Sequence, residues 1–521
     1  MKKKILLSLL TFTLGSATVH GKAGNAKYLK KFESDRTQSK PIIKKVLEQH
    51  TGDLDVMLKR KSIRVLVVNS KAFYDIEKGK KTGIYNDAIV AFEKQINKKY
   101  PNASKHIKTK LIPIPVTREM LIPALNAGYG DVAIADNTIS KRRAEQIAFS
   151  NPFASGINEI LITSSDMDGI SAFEDLSGKE VFVKPSMSYL DSLLQVSETL
   201  VHKGLDPIVI RALPEELESE DILELVNDGL IGITIMDDYK AKMWSTVYEK
   251  LTLHEDITFR EDAELGVMVR KNNPKLLAEL NDFIETKRVG DAFAKVATEK
   301  YFSSKRYKKL SKSGISKKKF QALKKTFKKY AEQYELDPLM LMAQAYQESR
   351  LREKAKSHVG ARGIMQLMPA TAREMNVGSI LNTDSNIHAG VKYHKKLKEH
   401  YFSDESIAKE DRSLFIFAGY NAGPNRINRY RKIAAERGLN PDKWFGNVEV
   451  IAAEKIGRET VQYIQNIYNY YVAYTMMNIQ NEAKLRAKIT MFYEVKDKMS
   501  VALTQKEQEI KQELALLVGN S

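Results

Sequence analysis

The chain of 521 residues contains no cysteine. That absence excludes disulfide staples, thiolate metal sites and a lipid-modified N-terminal cysteine. Long apolar runs are also missing. Beyond Ile5 to Leu14, no stretch approaches the roughly 18 residues needed to span a bilayer, so any membrane attachment is peripheral or uses an uncleaved leader. Internal repeats and low-complexity tracts are absent. What is abundant is positive charge: 83 Lys and Arg stand against 65 Asp and Glu, a formal net charge of +18. Such an excess favours an anionic partner, whether nucleic acid, anionic lipid or the carboxylate-bearing peptides of the bacterial wall; a solvated lysine-rich surface is the alternative.

The first residues narrow that choice. Lys2, Lys3 and Lys4 precede the run Ile5 to Leu14, and small residues follow up to Gly21 and Ala23, the pattern of a secretory signal peptide over 1–21. Export removes nucleic acid as a partner. A chain with 43% hydrophobic residues and this length fills two or three domains. Residues 22–60 read as a polar N-terminal segment. From Ile63 to Val68 onward, short β-rich runs such as Val132 to Ala135, Glu180 to Val183 and Ile231 to Ile235 alternate with helical patterns, which predicts an α/β domain over 61–303. A lysine-rich stretch, Lys305 to Lys319, reads as a basic linker over 304–325 or the exposed start of a helix. An all-α domain is expected over 326–480, and a terminal amphipathic helix over 481–521, packed on the body or free to associate.

Within the all-α part, Asp337-Pro338 predicts a capped helix start. Leu339, Met342, Ala343 and Tyr346 form one apolar face, Leu341 and Ala345 the opposite one, and Glu348 shares that second side. A carboxyl group so placed is partly desolvated, which raises its pKa and suits it to donate a proton. Three segments stand in order: Ala343-Gln344-Ala345-Tyr346-Gln347-Glu348-Ser349, then Gly360-Ala361-Arg362-Gly363-Ile364-Met365-Gln366-Leu367-Met368-Pro369, then Ala418-Gly419-Tyr420-Asn421-Ala422-Gly423-Pro424. Together they resemble the catalytic domain of the soluble lytic transglycosylase family, a lysozyme-like fold that cleaves the bacterial wall glycan.

The resemblance implies that Glu348 is the sole acid/base, that Ser357 helps orient the reacting sugar, that Gln366 and Met368 line the cleft, and that the Tyr420 hydroxyl reaches the catalytic region with Asn421 supporting its loop. Glu459, in a segment continuing through Thr460 and Tyr463, is expected to be buried behind the cleft as a brace. A hydrolysing glycosidase employs two carboxylates, whereas one suffices when the C6 hydroxyl of N-acetylmuramic acid attacks intramolecularly and gives a 1,6-anhydro end. Alternatives left open are a muramidase that uses water, and a sensor whose helical domain only holds glycan.

In the α/β part, Leu121 to Gly128, Asp131 to Ala135, Thr138-Ile139-Ser140-Lys141-Arg142-Arg143 and Ile147 to Phe153 resemble the amino-acid-binding type of periplasmic solute-binding protein. This implies a two-lobed domain closing on a small ligand. Arg143 is then the carboxylate clamp, Asp237 the amine acceptor, and Thr138 and Ser188 the hydroxyl donors. Ser186, Met187 and Asp136 depart from that pattern, so a free amino acid is not assured and a muropeptide is the other ligand expected. The combined expectation is an exported, periplasmic enzyme acting on peptidoglycan strands, peripheral at the inner face of the outer membrane, needing no metal or cofactor.

Overall fold

The computed structural model of the protein describes residues 46–101, 106–286, 301 and 314–496. The signal peptide, residues 22–45 of the polar segment, residues 304–313 of the basic linker and residues 497–521 of the terminal segment lie outside the described residues.

The α/β part is built on one nine-stranded sheet of order β4-β1-β5-β11-β7-β10-β8-β9, with β6 (Ala148–Phe149) also paired to β11. In the first half-sheet β1 (Ser62–Val67) lies between β4 (Lys110–Pro115) and β5 (Val132–Thr138), parallel to both. In the second, β8 (Glu180–Val183) is parallel to β9 (Val209–Ala212) and β10 (Ile233–Asp237). Two long strands, β7 (Ala154–Ser164) and β11 (Leu251–Val269), join the halves as an antiparallel pair with several register shifts. The chain thus crosses twice between two α/β lobes. β1 is buried along almost its whole length, as a central strand covered on both faces must be.

The folded body reaches into two of the expected flanking segments. The polar N-terminal segment ends in the folded body: Val46, Leu47, Leu54 and Met57 are buried, and the helix Leu54–Arg60 is capped by Asp53. Asp53 also accepts from the backbone amides of Lys275 and Leu276, so one carboxylate starts two helices. The basic linker likewise gives way at Gly314 to a helix, Gly314–Gln333, whose Leu323 and Phe327 are buried. Their four-residue spacing puts both on one face.

From there the described chain is helical. The last helix, Arg458–Lys496, is 39 residues long and carries no break at the expected boundary near 480. It packs beside the helix Pro338–Ser349 at its start and along β4 farther on. Its distal side chains then reach both lobes. Tyr474 donates to the Gly79 carbonyl (2.6 Å) in the hairpin of β2 (Asp75–Glu77) and β3 (Lys80–Thr82), and the Asn69 amide donates to Asn481 Oδ1 (2.7 Å). Lys484 and Lys488 each lie 2.8 Å from Asp221 in the second lobe, while Met491 and Phe492 are buried against that lobe's core. The amphipathic segment is therefore packed on the body as far as it is described. No described helix is long and apolar enough to cross a membrane.

Candidate active site

Pro338–Ser349 begins as predicted, with Asp337 accepting from the Leu339 amide (3.0 Å) and proline in the first turn. Leu341 to Tyr346 are all buried, so the helix is enclosed on both sides. At its last turn Glu348 is half-buried. Burial pushes its carboxyl pKa up to about 7, against the pull of hydrogen bonds from Tyr463 and Gln344.

Those partners form a directed chain. Buried His394, which burial holds at a pKa of about 3 and so neutral, bonds through Nε2 to Gln344 Oε1; Gln344 Nε2 donates to Tyr463 Oη (2.8 Å). Tyr463 Oη donates to Glu348 Oε1 (2.5 Å), and burial first, then the neighbouring carboxylate, holds that phenol well above its usual range. Because Gln344 Oε1 accepts from the imidazole, its amide nitrogen must face Tyr463, so every proton in the chain points toward the carboxylate. Gln344 and His394 escaped the sequence reading; a buried glutamine one helical turn before the acid is the signal that could have found the first.

The loop facing Glu348 is fixed from three directions. Ser349 Oγ donates to the Ile364 carbonyl (2.8 Å), Asn386 Oδ1 accepts from the Met365 amide (2.9 Å), and Tyr420 Oη donates to the Met365 carbonyl (2.8 Å). Gly363 is required here: it has φ +77°, and a Cβ would lie 2.2 Å from Asn386. Gln366 also has positive φ and closes the turn through Nε2 to the Gly363 carbonyl (2.7 Å). Ser357 Oγ accepts from the Ala361 amide (2.9 Å) in the preceding turn, and Met368 is 44% exposed at the loop's end. Asn421 accepts from Thr460 Oγ1 (2.7 Å), which ties the tyrosine-bearing segment to the start of the long helix.

Glu459 does not fill its expected place. It is exposed in the first turn of the long helix, because it sits on the solvent side of Thr460, whose own side chain makes the buried contact. The buried carboxylate in this region is Glu449, which accepts from the Gly446 amide and from Gln465 Nε2.

In the α/β part the four expected ligand residues come together where the lobes meet, each engaged within the chain. Thr138 and Ser188 share a hydrogen bond (3.3 Å), and Ser188 also donates to buried Glu159 (2.6 Å). Arg143 donates to the carbonyls of Thr138 and Ser186, both at 3.0 Å. Asp237 pairs with Lys240 (2.8 Å). Among the described residues no cluster of metal-ligating side chains is present.

A two-lobed α/β module is thus followed by a helical domain with one elevated carboxyl group, and each half matches a family model. The model of the transglycosylase SLT domain matches residues 325–442, and that of the bacterial extracellular solute-binding proteins, family 3, matches 63–304. The chain is a homologue of proteins named membrane-bound lytic murein transglycosylase F. It is 26% identical to that of Desulfosudis oleivorans over 404 residues (74% of this chain, 86% of the relative). It is 28% identical to that of Saccharophagus degradans over 374 residues (68% and 72%). Among solved structures, an ancestral arginine-binding protein bound to arginine matches with 22% identity and TM-score 0.38, over 47% of this chain and 99% of that one. Holo ArgBP from T. maritima matches with 20% identity and TM-score 0.38, over 48% and 100%.

Proposed function

We propose that the protein cleaves the β-1,4 bond between N-acetylmuramic acid and N-acetylglucosamine in peptidoglycan and leaves 1,6-anhydromuramoyl ends. The observation that carries this reading is the solitary, half-buried Glu348 with its pKa near 7. Among the described residues its shift has burial and two neutral hydrogen-bond donors as causes, and no second carboxylate. Such a group serves both halves of an intramolecular transfer. As the acid it protonates the bridging oxygen as that bond to C1 of the muramic acid breaks. As carboxylate, steadied by Tyr463, it takes the C6 hydroxyl proton while O6 bonds to C1. One glycosidic bond is exchanged for another, and water is not consumed. Ser357, Gln366 and exposed Met368 supply polar and apolar contacts for the sugar rings along the loop, with Tyr420 holding that loop over the acid. Mass spectrometry of fragments released from purified sacculi should show products lighter by one water than reducing muropeptides; reducing ends would mean a hydrolase.

Tyr463→Phe removes the donor that favours the ionised carboxylate. The alkaline limb of the kcat/KM profile, which follows the acid form of Glu348, is expected to move upward by about one pH unit, with turnover down about tenfold. An unmoved limb would show that the phenol does not act on this carboxyl.

The α/β module is assigned to binding a small wall-derived or amino-acid-like ligand and to regulating the catalytic half. Support comes from the long helix, which starts beside Tyr463 and ends on the second lobe about 37 Å away. The site of action is the exported, periplasmic space, with peripheral attachment to the outer membrane and the net positive charge drawing the protein to anionic wall polymer. Thermal-shift titration with stem peptides tests the ligand, and Arg143→Ala should abolish the response.

A further inference from the structure

The place where the lobes meet is occupied by a side chain of the protein itself. Lys240, fully buried, extends its ammonium from the second lobe to Asp136 of the first and lies 2.8 Å from Asp237 of its own lobe. Three rings surround this pair. The ammonium is 6.0 Å from the centre of Phe73 and 5.5 Å from that of Tyr239, Phe73 stacks on Tyr85 at 5.2 Å, and Tyr85 Oη donates to Asp136 (3.4 Å). Two carboxylates and a set of aromatic faces are what recognise a primary ammonium in a dry site. Asp136 carries φ +44°, a strained value for a residue with a side chain, and Tyr239 Oη is buried with no hydrogen-bond partner. Strain and an unsatisfied hydroxyl beside a complete cation cage are features of a recognition site rather than of a stability core.

Among the described ion pairs, Asp136 and Glu218 have cationic partners besides Lys240, whereas Asp237 does not. Arg118 of the first lobe bridges Asp136 (3.3 Å) and Glu218 of the second (2.9 Å), and Lys184 holds Glu218 from the other side (2.9 Å). Asp237 pairs with Lys240 alone among the described ion pairs.

We infer that the cleft between the lobes is a primary-ammonium site whose occupant in this chain is Lys240, a tethered ligand that holds the lobes closed. A solute that enters must carry a primary ammonium of its own and displace the lysine from Asp136 and Asp237. This deepens the ligand-binding reading of the module, and its test uses a simple amine so that the two can fail separately.

Lys240→Ala removes the part of the side chain that n-propylammonium reproduces, three methylenes and the ammonium. The full-length variant is expected to melt below the wild type, and millimolar n-propylammonium should raise its Tm by about 2–4 °C, increasing with amine concentration. The wild type should not respond beyond a sodium chloride control of equal ionic strength, and adding Asp136→Asn to the variant should remove the response. If Lys240→Ala does not stay folded, refolding from urea with and without the amine is read instead, and recovery with the amine supports the site. A variant that responds to sodium chloride and n-propylammonium alike, or refolds equally poorly in both, overturns it. Refusal of wall peptides by the wild type, with rescue of the variant by the amine, would sink the regulatory reading and leave this one standing.

Discussion

Glu348→Gln is expected to cut the release of glycan fragments by about 10²–10⁴-fold, since a group that gives and then takes a proton in the same cycle has no substitute in an amide. The same change should make the protein more stable in alkaline buffer. The carboxyl has a folded pKa of about 7 against 4.5 for an unperturbed glutamate, so between those values the folded state holds a proton that the unfolded state has lost. Stability therefore falls as pH rises from about 4.5 to 7, and above 7 the full penalty applies. Each tenfold change in proton affinity on folding corresponds to about 1.4 kcal/mol, and discounting for partial exposure leaves about 1–3 kcal/mol at pH 8. Denaturant unfolding of both proteins at pH 4 and pH 8 checks this: the variant's advantage should appear at pH 8 and vanish at pH 4. An equal difference at both would mean that burial does not perturb the acid.

Asp221→Asn is expected to destabilise the chain by about 3–5 kcal/mol, the usual cost of removing one partner from a buried ion cluster. The carboxylate is 3% exposed and receives Lys484 and Lys488, both at 2.8 Å. Burial alone would raise its pKa, but the two ammonium groups more than offset this and hold it well below the usual carboxylate range. The sign follows: the stabilisation is present above the unfolded pKa and is lost only as pH falls through the depressed folded value, so it is intact at neutral pH. Hydrogen exchange should localise the damage to the end of the long helix, from about Asn478 to Phe492. Unchanged protection there, with an unchanged midpoint, would show that the two lysines do not anchor the helix.

The acid helix was legible because its signals are local: a cap, a proline, two apolar faces and an acid at the last turn. Its partners were less so, since Tyr463 lies 115 residues from Glu348 and only the packing of two helices brings them together. Some strands of the α/β part were legible for the same local reasons, as the match of Glu180 to Val183 with β8 shows. Charge alone does not locate where the folded body resumes, because the Lys-rich stretch runs into apolar pairs such as Leu323 and Phe327 on one helical face. Glu459 was misplaced because its neighbour Thr460 takes the inward direction at the start of the long helix, and the buried carboxylate of the region is Glu449. Lys240 could not be distinguished in Asp237-Asp238-Tyr239-Lys240-Ala241-Lys242 from a surface lysine; only closure of the two lobes reveals that its charge is enclosed.

The long helix also sets an order of events during synthesis. Lys488 and Glu224 meet across 264 residues of sequence, and Met491 and Phe492 complete the hydrophobic core of the second lobe. A nascent chain that has delivered every strand of the sheet still lacks these two side chains, and the core they join stays incomplete while the whole catalytic half is translated. The first-made domain is thus the last to be finished, and a ribosome stalled before Met491 would release a chain with an adhesive flank, a natural target for holding chaperones and for quality-control proteases.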